Sequence, residues 1–407
     1  MKVSKPLLIL LALPSFAAVG WLAAQGPVDP AAGPAPIFKT LAQVEPRIDV
    51  ATLSGDSDDE VVIANAGSYY LTDNLTVFKT NGIRVTGPDV VLDLNGFQVS
   101  RGIATSGGTA IVLGSSASGC VVKNGNIRGS FANGIEPETT GPANVRVSDV
   151  SVSGCSGDGI DLGQVDTTGV SQCFVSSVGG VGIRAGLVSD SIANQCGGAG
   201  ITGLIVRHSY GVSTGAGEGI TANIVAESRG TSSSGTGVSA GVIATNSEGN
   251  SITGTGLFGR IVSGSWGVSA GNGVDSGDNG IEAELVHGSY GKSFLSGSGI
   301  ESRQVVASFG DAESAGSSGI DGDRLVVSSI GFGGGTAIEA FGGVVTNSYA
   351  FSDNSSAISA DSVSFSVGIR DALSLNTGSI IESEHGIGVY TEAGETNTVT
   401  EKFLGTD

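Results

Sequence analysis

Histidine, methionine and tryptophan are almost missing from this 407-residue sequence, at three, one and two copies. With so few imidazoles, a zinc centre or a histidine-based catalytic relay has little to be built from. Aromatic residues make up 5% of the chain and charged residues 14%, which excludes both a core packed on rings and a solvated charged tail. Acidic residues outnumber basic ones by 39 to 19, for a net charge of −20, and no basic run follows the N-terminus. Nucleic acid and anionic membrane are therefore excluded as expected partners. The four cysteines, Cys120, Cys155, Cys173 and Cys196, show no C-x-x-C spacing. Disulfides are permitted in an exported chain, but small buried thiols filling a repetitive core fit the spacing better.

Glycine, by contrast, is abundant: 68 residues, more than twice a usual share of about 7%. Hydrophobic residues still reach 39%, so an apolar core of small side chains is expected rather than a disordered chain.

Residues 1–24 open with Lys2 and Lys5, continue through the apolar run Leu7 to Leu13 and reach small residues at Ala23 and Ala24. This is the pattern of a secretory signal peptide, with an uncleaved anchor as the lesser alternative. The expected location is secreted, periplasmic or cell surface, without membrane insertion once the signal is removed. A Pro/Gly/Ala linker follows at 25–39. An N-terminal cap with the leading strands is assigned to 40–80, a parallel β-helix to 81–375, and a C-terminal cap to 376–407.

The β-helix assignment rests on an internal repeat. An apolar anchor after glycine recurs at Ile135, Ile160, Ile183, Ile201, Ile220, Val238, Leu257, Ile281, Ile300, Ile320, Ile338 and Ile358, with Ala337 and Ala357 replacing the last two glycines. From Ile183 the steps are 18 to 20 residues, with one of 24. Short β-like runs and the absence of a 3.6-residue period exclude helical repeats. The irregular step excludes a hexapeptide helix, and neither the calcium-binding nonapeptide nor a leucine-rich repeat is present. What remains is an all-β, right-handed parallel β-helix solenoid with coils of about 19 residues, stacked about 4.8 Å apart. In VVLDLNGF, Val90, Leu92 and Leu94 share the core side, and Asn95-Gly96 supplies the turn.

The phrases EPRIDV at 45–50, GSYYLTDNLTV at 67–77, GIRVTGPDVVLDLNGFQVS at 82–100 and CVVKNGNIRG at 120–129 resemble secreted bacterial right-handed β-helix repeat proteins of the pectate-lyase-like fold. The resemblance covers residues 45 to about 165 by phrase and the rest by repeat pattern alone. It implies a fold far more than an activity, since most such proteins have none assigned.

In a parallel solenoid, one repeat position becomes one row on the surface. Ser209, Ser228, Ser247, Ser265, Ser289, Ser308, Ser329 and Ser348 form a first row, which reads as a packed hydroxyl ladder. The second row contains Tyr210, Arg229, Glu248, Trp266, Tyr290, Phe309, Ile330 and Tyr349. Its charged members imply exposure, so Tyr210, Trp266, Tyr290, Phe309 and Tyr349 are candidates for a glycan-binding strip; the alternative is rings that merely cover the flank. The third row carries carboxylates on four successive coils, Glu282, Glu301, Asp321 and Glu339. Mutual repulsion should raise their pKa values unless a cation intervenes, with calcium the candidate ion and no other cofactor expected. The alternative is a solvated acidic face relieved by Arg303 and Arg324.

Catalytic candidates are few. Asp158 and Asp161 in GDGID, or Glu282 and Glu301 one coil apart, have the spacing of a carboxylate pair, but no basic partner is visible near the first pair. Lys292 and Arg303 are the basic groups considered for the second. The ordered polygalacturonase motifs are missing: Asp58-Asp59 precedes the regular coils, and His385 falls in Glu-His-Gly near the C-terminus. The sequence therefore favours a structural or adhesive rod that binds polysaccharide or cell-surface components, with a polysaccharide lyase or glycoside hydrolase acting on an acidic glycan as the alternative.

Overall fold

A computed structural model describes residues 47–370, except 104–106, 140–141, 272–277, 296 and 354, together with 381–382 and 385–392. The segments assigned to a signal peptide and a linker, residues 40–46 of the assigned N-terminal cap and most of the assigned C-terminal cap lie outside these residues. So the assignments made to them carry no structural account.

The local pattern sets the strands. In Val90–Asp93, Val90 and Leu92 are fully buried and Val91 is half-buried, the alternation of a strand with one core face. Asn95 then takes φ +52° and Gly96 φ +80°, the left-handed turn that Asn-Gly favours. Strands pair in parallel with strands of neighbouring coils, and the chain winds into a β-solenoid of about 16 turns of about 19 residues, with almost no helix among the described residues.

The glycine-linked anchors stack as expected. Ile83 pairs with Ile111, Ile111 with Ile135, and Ile135 with Ile160. The series continues through Ile183, Ile201, Ile220, Val238, Leu257, Ile281, Ile300, Ile320, Ile338 and Ile358, each paired with the next and each without exposed surface. The 24-residue step keeps register at both ends, because Leu257 pairs directly with Ile281. A second inward column runs along the same strands through Val206, Val225, Ala244, Val262, Val286, Val305, Val326 and Val345. Burial of one aliphatic side chain contributes roughly 1.5–3 kcal/mol, repeated coil after coil, which is how small residues build this core.

The first coil begins earlier than the repeat pattern indicated. Val61 pairs with Ile83, and the strand Asp59–Ile63 lies in register with Asn81–Val85. Asp59 is thus part of the solenoid, not of a segment ahead of it. The four cysteines are free and buried. Burial pushes the thiols of Cys155 and Cys196 up to about 12 and that of Cys173 up to about 11, which leaves them protonated and unreactive at neutral pH.

Candidate functional site

From Asp190 onward each coil turns a corner on one residue in the left-handed conformation, at Asp190, His208, Glu227, Asn246, Gly264, Gly288, Ala307, Ser328 and Asn347, with φ between +45° and +58°. The next residue is the ladder serine. Its hydroxyl donates back across the corner to the carbonyl two residues earlier, as Ser228 Oγ does to Ala226 at 2.8 Å. Its oxygen also accepts the amide of the preceding coil's serine, as Ser228 does from Ser209 at 3.2 Å. The serines are almost fully buried, and the ladder extends beyond the sequence-derived row to Ser191 and Ser366. Cys173 occupies the rung before Ser191, with its thiol donating to Ser171 O at 3.2 Å.

Immediately after each ladder serine comes the second row. Tyr210, Arg229, Glu248, Trp266, Tyr290, Phe309, Ile330 and Tyr349 pair in register one coil apart. Phe174 and Ile192 continue it toward the N-terminus. The row's members contact one another in sequence. The Arg229 guanidinium lies 5.6 Å from the Tyr210 ring centre and 3.5 Å from Glu248. Trp266 packs on Tyr290 at 4.5 Å and Tyr290 on Phe309 at 5.1 Å.

The ring stack then leaves the row. Phe309 packs on Phe332 at 5.3 Å, and Phe332 on Phe351 at 5.7 Å. Both stand two residues further along their strands, so the stack steps diagonally past Ile330. Tyr349 has no place in that chain of ring contacts. Sequence reasoning missed Phe332 and Phe351 because they belong to a different repeat column; only the aromatic-x-aromatic spacing of Tyr349 and Phe351 hinted at it.

Between the corner row and the second row lie two depressions open to solvent. One, of about 660 Å³, is lined by His208, Tyr210, Glu227, Arg229 and Glu248 among others. The other, of about 420 Å³, is lined by Tyr290, Phe309 and Ile330 with the corner and ladder residues beside them. Gly264 and Trp266 line both, so the two adjoin in one groove, which carries the charged side chains of Glu227, Arg229 and Glu248 toward the N-terminus and the rings of Tyr290 and Phe309 toward the C-terminus.

The acidic row lies on the long strand of each coil. Glu282, Glu301, Asp321 and Glu339 pair directly, one per coil. Burial raises Glu282, with the charge of Glu301 adding to it, and burial followed by the charges of Glu339 and Glu301 pushes Asp321 up to about 6. Asn279 Nδ2 donates to Glu301 at 2.6 Å, and Ser318 Oγ to Glu339 at 3.2 Å. Arg303 and Arg324 make no ion pair with this row among the described residues. Lys292 is not beside the row. It sits on the short strand Tyr290–Ser293, where Asp311 at 3.0 Å and Glu313 at 2.7 Å hold its ammonium. Among the described residues, no group of three or more His, Cys, Asp or Glu side chains is arranged to hold a metal ion.

The same row, followed toward the N-terminus, reveals the basic partner that GDGID lacked in sequence. Arg184 pairs with Asp161 in register, and its guanidinium lies 2.5 Å from Asp161 and 3.7 Å from Asp158. Burial raises Asp158, against the amide of Val181 and the charge of Arg184. One coil before Asp161, Glu136 accepts from Thr109 and from Asn133, the latter at 2.6 Å. The buried Asp59 accepts from Asn81 at 2.9 Å and is paired with Arg84, whose other branch reaches Glu138 at 3.0 Å. Apart from the Asn133–Glu136 bond, which lies within one strand, these contacts tie one coil to another.

The chain matches no protein-family model, no curated protein and no solved structure. Its class is therefore set by its architecture, a parallel β-solenoid bearing one long surface groove. No helix among the described residues is long and apolar enough to cross a membrane.

Proposed function

We propose that this protein is a secreted or cell-surface rod, akin to the pectate-lyase-like β-helix proteins, that binds an extended neutral polysaccharide along the groove between its left-handed corners and its second row. The observation that carries the proposal is the continuity of that groove: its two halves join at Gly264 and Trp266 and run across successive coils. A linear polymer of repeating units suits a surface that itself repeats. Sugar rings offer apolar faces to aromatic side chains and hydroxyls to groups such as Arg229 and Glu248. A net charge of −20 repels polyanions, which favours a neutral chain. The acidic row on the neighbouring strands is where calcium would act, by relieving repulsion between carboxylates on successive coils.

The test is native electrophoresis through gels containing hydroxyethyl cellulose, galactomannan or polygalacturonate, with calcium or a chelator. Retardation by a neutral polymer, with no retardation by polygalacturonate, is the expected result; free migration in every gel would remove the binding reading.

One observation favours a catalytic alternative. Asp158 and Glu282 are each raised by burial beside a second carboxylate, Asp161 and Glu301, and a raised carboxyl next to another serves acid–base chemistry. A cleared zone in the polygalacturonate gel, lost in Asp158→Asn or Glu282→Gln, would establish it.

A further inference from the structure

The aromatic residues of the second row are not equivalent. A ring can stack on a sugar only through a face that nothing else covers. Tyr290 has Trp266 on one side and Phe309 on the other, and Phe309 has Tyr290 and Phe332. Their faces are spent on each other, leaving edges toward solvent. Phe332 is likewise enclosed, between Phe309 and Phe351.

Trp266 differs in three respects. It begins the ring stack, with Tyr290 as its one ring neighbour and Glu248, which carries no ring, opposite it on the coil before. It is 52% exposed, where Tyr290 and Phe309 are only partly exposed. It also lines both halves of the groove, between the charged side chains of Arg229 and Glu248 and the rings of Tyr290 and Phe309.

We infer that Trp266 is the principal sugar-stacking subsite of the groove, seating one pyranose ring of a neutral glycan on its Glu248-facing side. The neighbouring Arg229 and Glu248, paired at 3.5 Å and both reaching solvent, then hydrogen-bond that sugar's hydroxyls. Tyr290, Phe309, Phe332 and Phe351 are the buttress that holds the indole in place. This inference rests on the polysaccharide-binding reading and adds to it a position and a division of labour.

The experiment compares the full-length protein with Trp266→Leu, Trp266→Phe and Phe341→Leu in gels containing hydroxyethyl cellulose or galactomannan. Phe341 is a control, an 84% exposed ring that does not line the groove. Thermal melts of each variant confirm folding, and Trp266 is exposed enough that its replacement should leave the core intact. Trp266→Leu is expected to weaken retardation by about tenfold or more, equivalent to roughly 1.4 kcal/mol. Trp266→Phe should bind at an intermediate level, and Phe341→Leu like the parent. If the parent is retarded and folded Trp266→Leu is retarded equally, the inference fails while the binding rod stands. If Phe341→Leu weakens binding as much as Trp266→Leu, the interaction is general ring adhesion and the subsite is refuted. If the parent is not retarded by either polymer, the binding reading falls and takes the subsite with it.

Discussion

Gly280 and Lys292 face each other across the width of one coil, so closely that a β-carbon on Gly280 would stand 2.2 Å from the Lys292 backbone nitrogen and 2.5 Å from Gly299 O. The opposite wall has the same requirement, because a β-carbon on Gly291 would meet Gly299 O at 2.0 Å. Where glycine precedes an anchor, as at Gly280, it is therefore a spacer for two backbones in contact, and its use there does not depend on a left-handed turn; alanine takes that place before Ile338 and Ile358.

Gly280→Ala is accordingly expected to destabilise the rod by about 3 kcal/mol or more, since backbone on both sides must move to admit one methyl. Gly316 supplies the contrast: nothing lies within 4 Å of its would-be β-carbon. Gly316→Ala should be neutral or gain up to about 1 kcal/mol through a stiffer unfolded chain. Urea denaturation of both variants checks this. Equal midpoints would show that the coil can widen.

These glycines illustrate how far the sequence could be read. The anchor column was legible because inward aliphatics recur at a nearly fixed step, and the register of Glu282, Glu301, Asp321 and Glu339 followed from it. The ring stack was only half legible. Trp266, Tyr290 and Phe309 share a column, whereas Phe332 and Phe351 join through a diagonal contact that no single column contains. Arg184 stands in register with Asp161, but its bridge to Asp158 depends on how a long side chain folds back over its neighbour. The groove was invisible, because it lies between two rows and is bounded by corners whose residue types vary from Asp to Ala.

Those corners give a second expectation. Ala307 holds φ +49°, a conformation that costs an L-residue roughly 1–2 kcal/mol and glycine almost nothing. Ala307→Gly should thus gain about 0.5–1 kcal/mol, less than the full strain because glycine also enlarges the unfolded ensemble. Gly288 occupies the equivalent corner at φ +58° with nothing within 4 Å of its would-be β-carbon, so Gly288→Ala should lose about 1 kcal/mol through backbone strain alone. Melting midpoints that move together in the same direction would refute this account of the corner.

The hydroxyl ladder gives a third. Ser247 donates to Thr245 O at 2.8 Å and accepts from the Ser228 amide at 3.4 Å, both inside the wall. Ser247→Ala leaves the buried Ser228 amide without its acceptor, while Thr245 O keeps the Glu227 amide at 3.0 Å, and should cost about 1–3 kcal/mol. Ser247→Cys should cost less, because Cys173 already makes the corresponding carbonyl contact at its own rung. Hydrogen exchange at the Ser228 amide offers the direct reading: faster in Ser247→Ala than in the parent, with unchanged exchange ruling out the ladder as a stabilising element.

The acidic row makes stability depend on pH in a definite direction. Asp321 titrates near 6 when folded against a usual 3.8, so between these values the folded chain keeps a proton that the unfolded chain has released. Stability must then fall as pH rises from about 4 to 6, with the full penalty present above 6, and the raised Glu282 adds in the same sense. Asp321→Asn removes the charge without changing shape. It should raise stability at pH 7 by about 1 kcal/mol, a figure reduced for the partial solvent exposure of the row, and should change nothing below pH 4. Millimolar calcium should raise the parent's midpoint at pH 7 by screening the same repulsion, and should raise that of Asp321→Asn less. Calorimetry across pH 4 to 7 with calcium or chelator separates the two effects. A midpoint that does not decline over this range would mean that the four carboxylates are solvated independently, and a decline that calcium leaves untouched would keep the repulsion but take the ion away from the row.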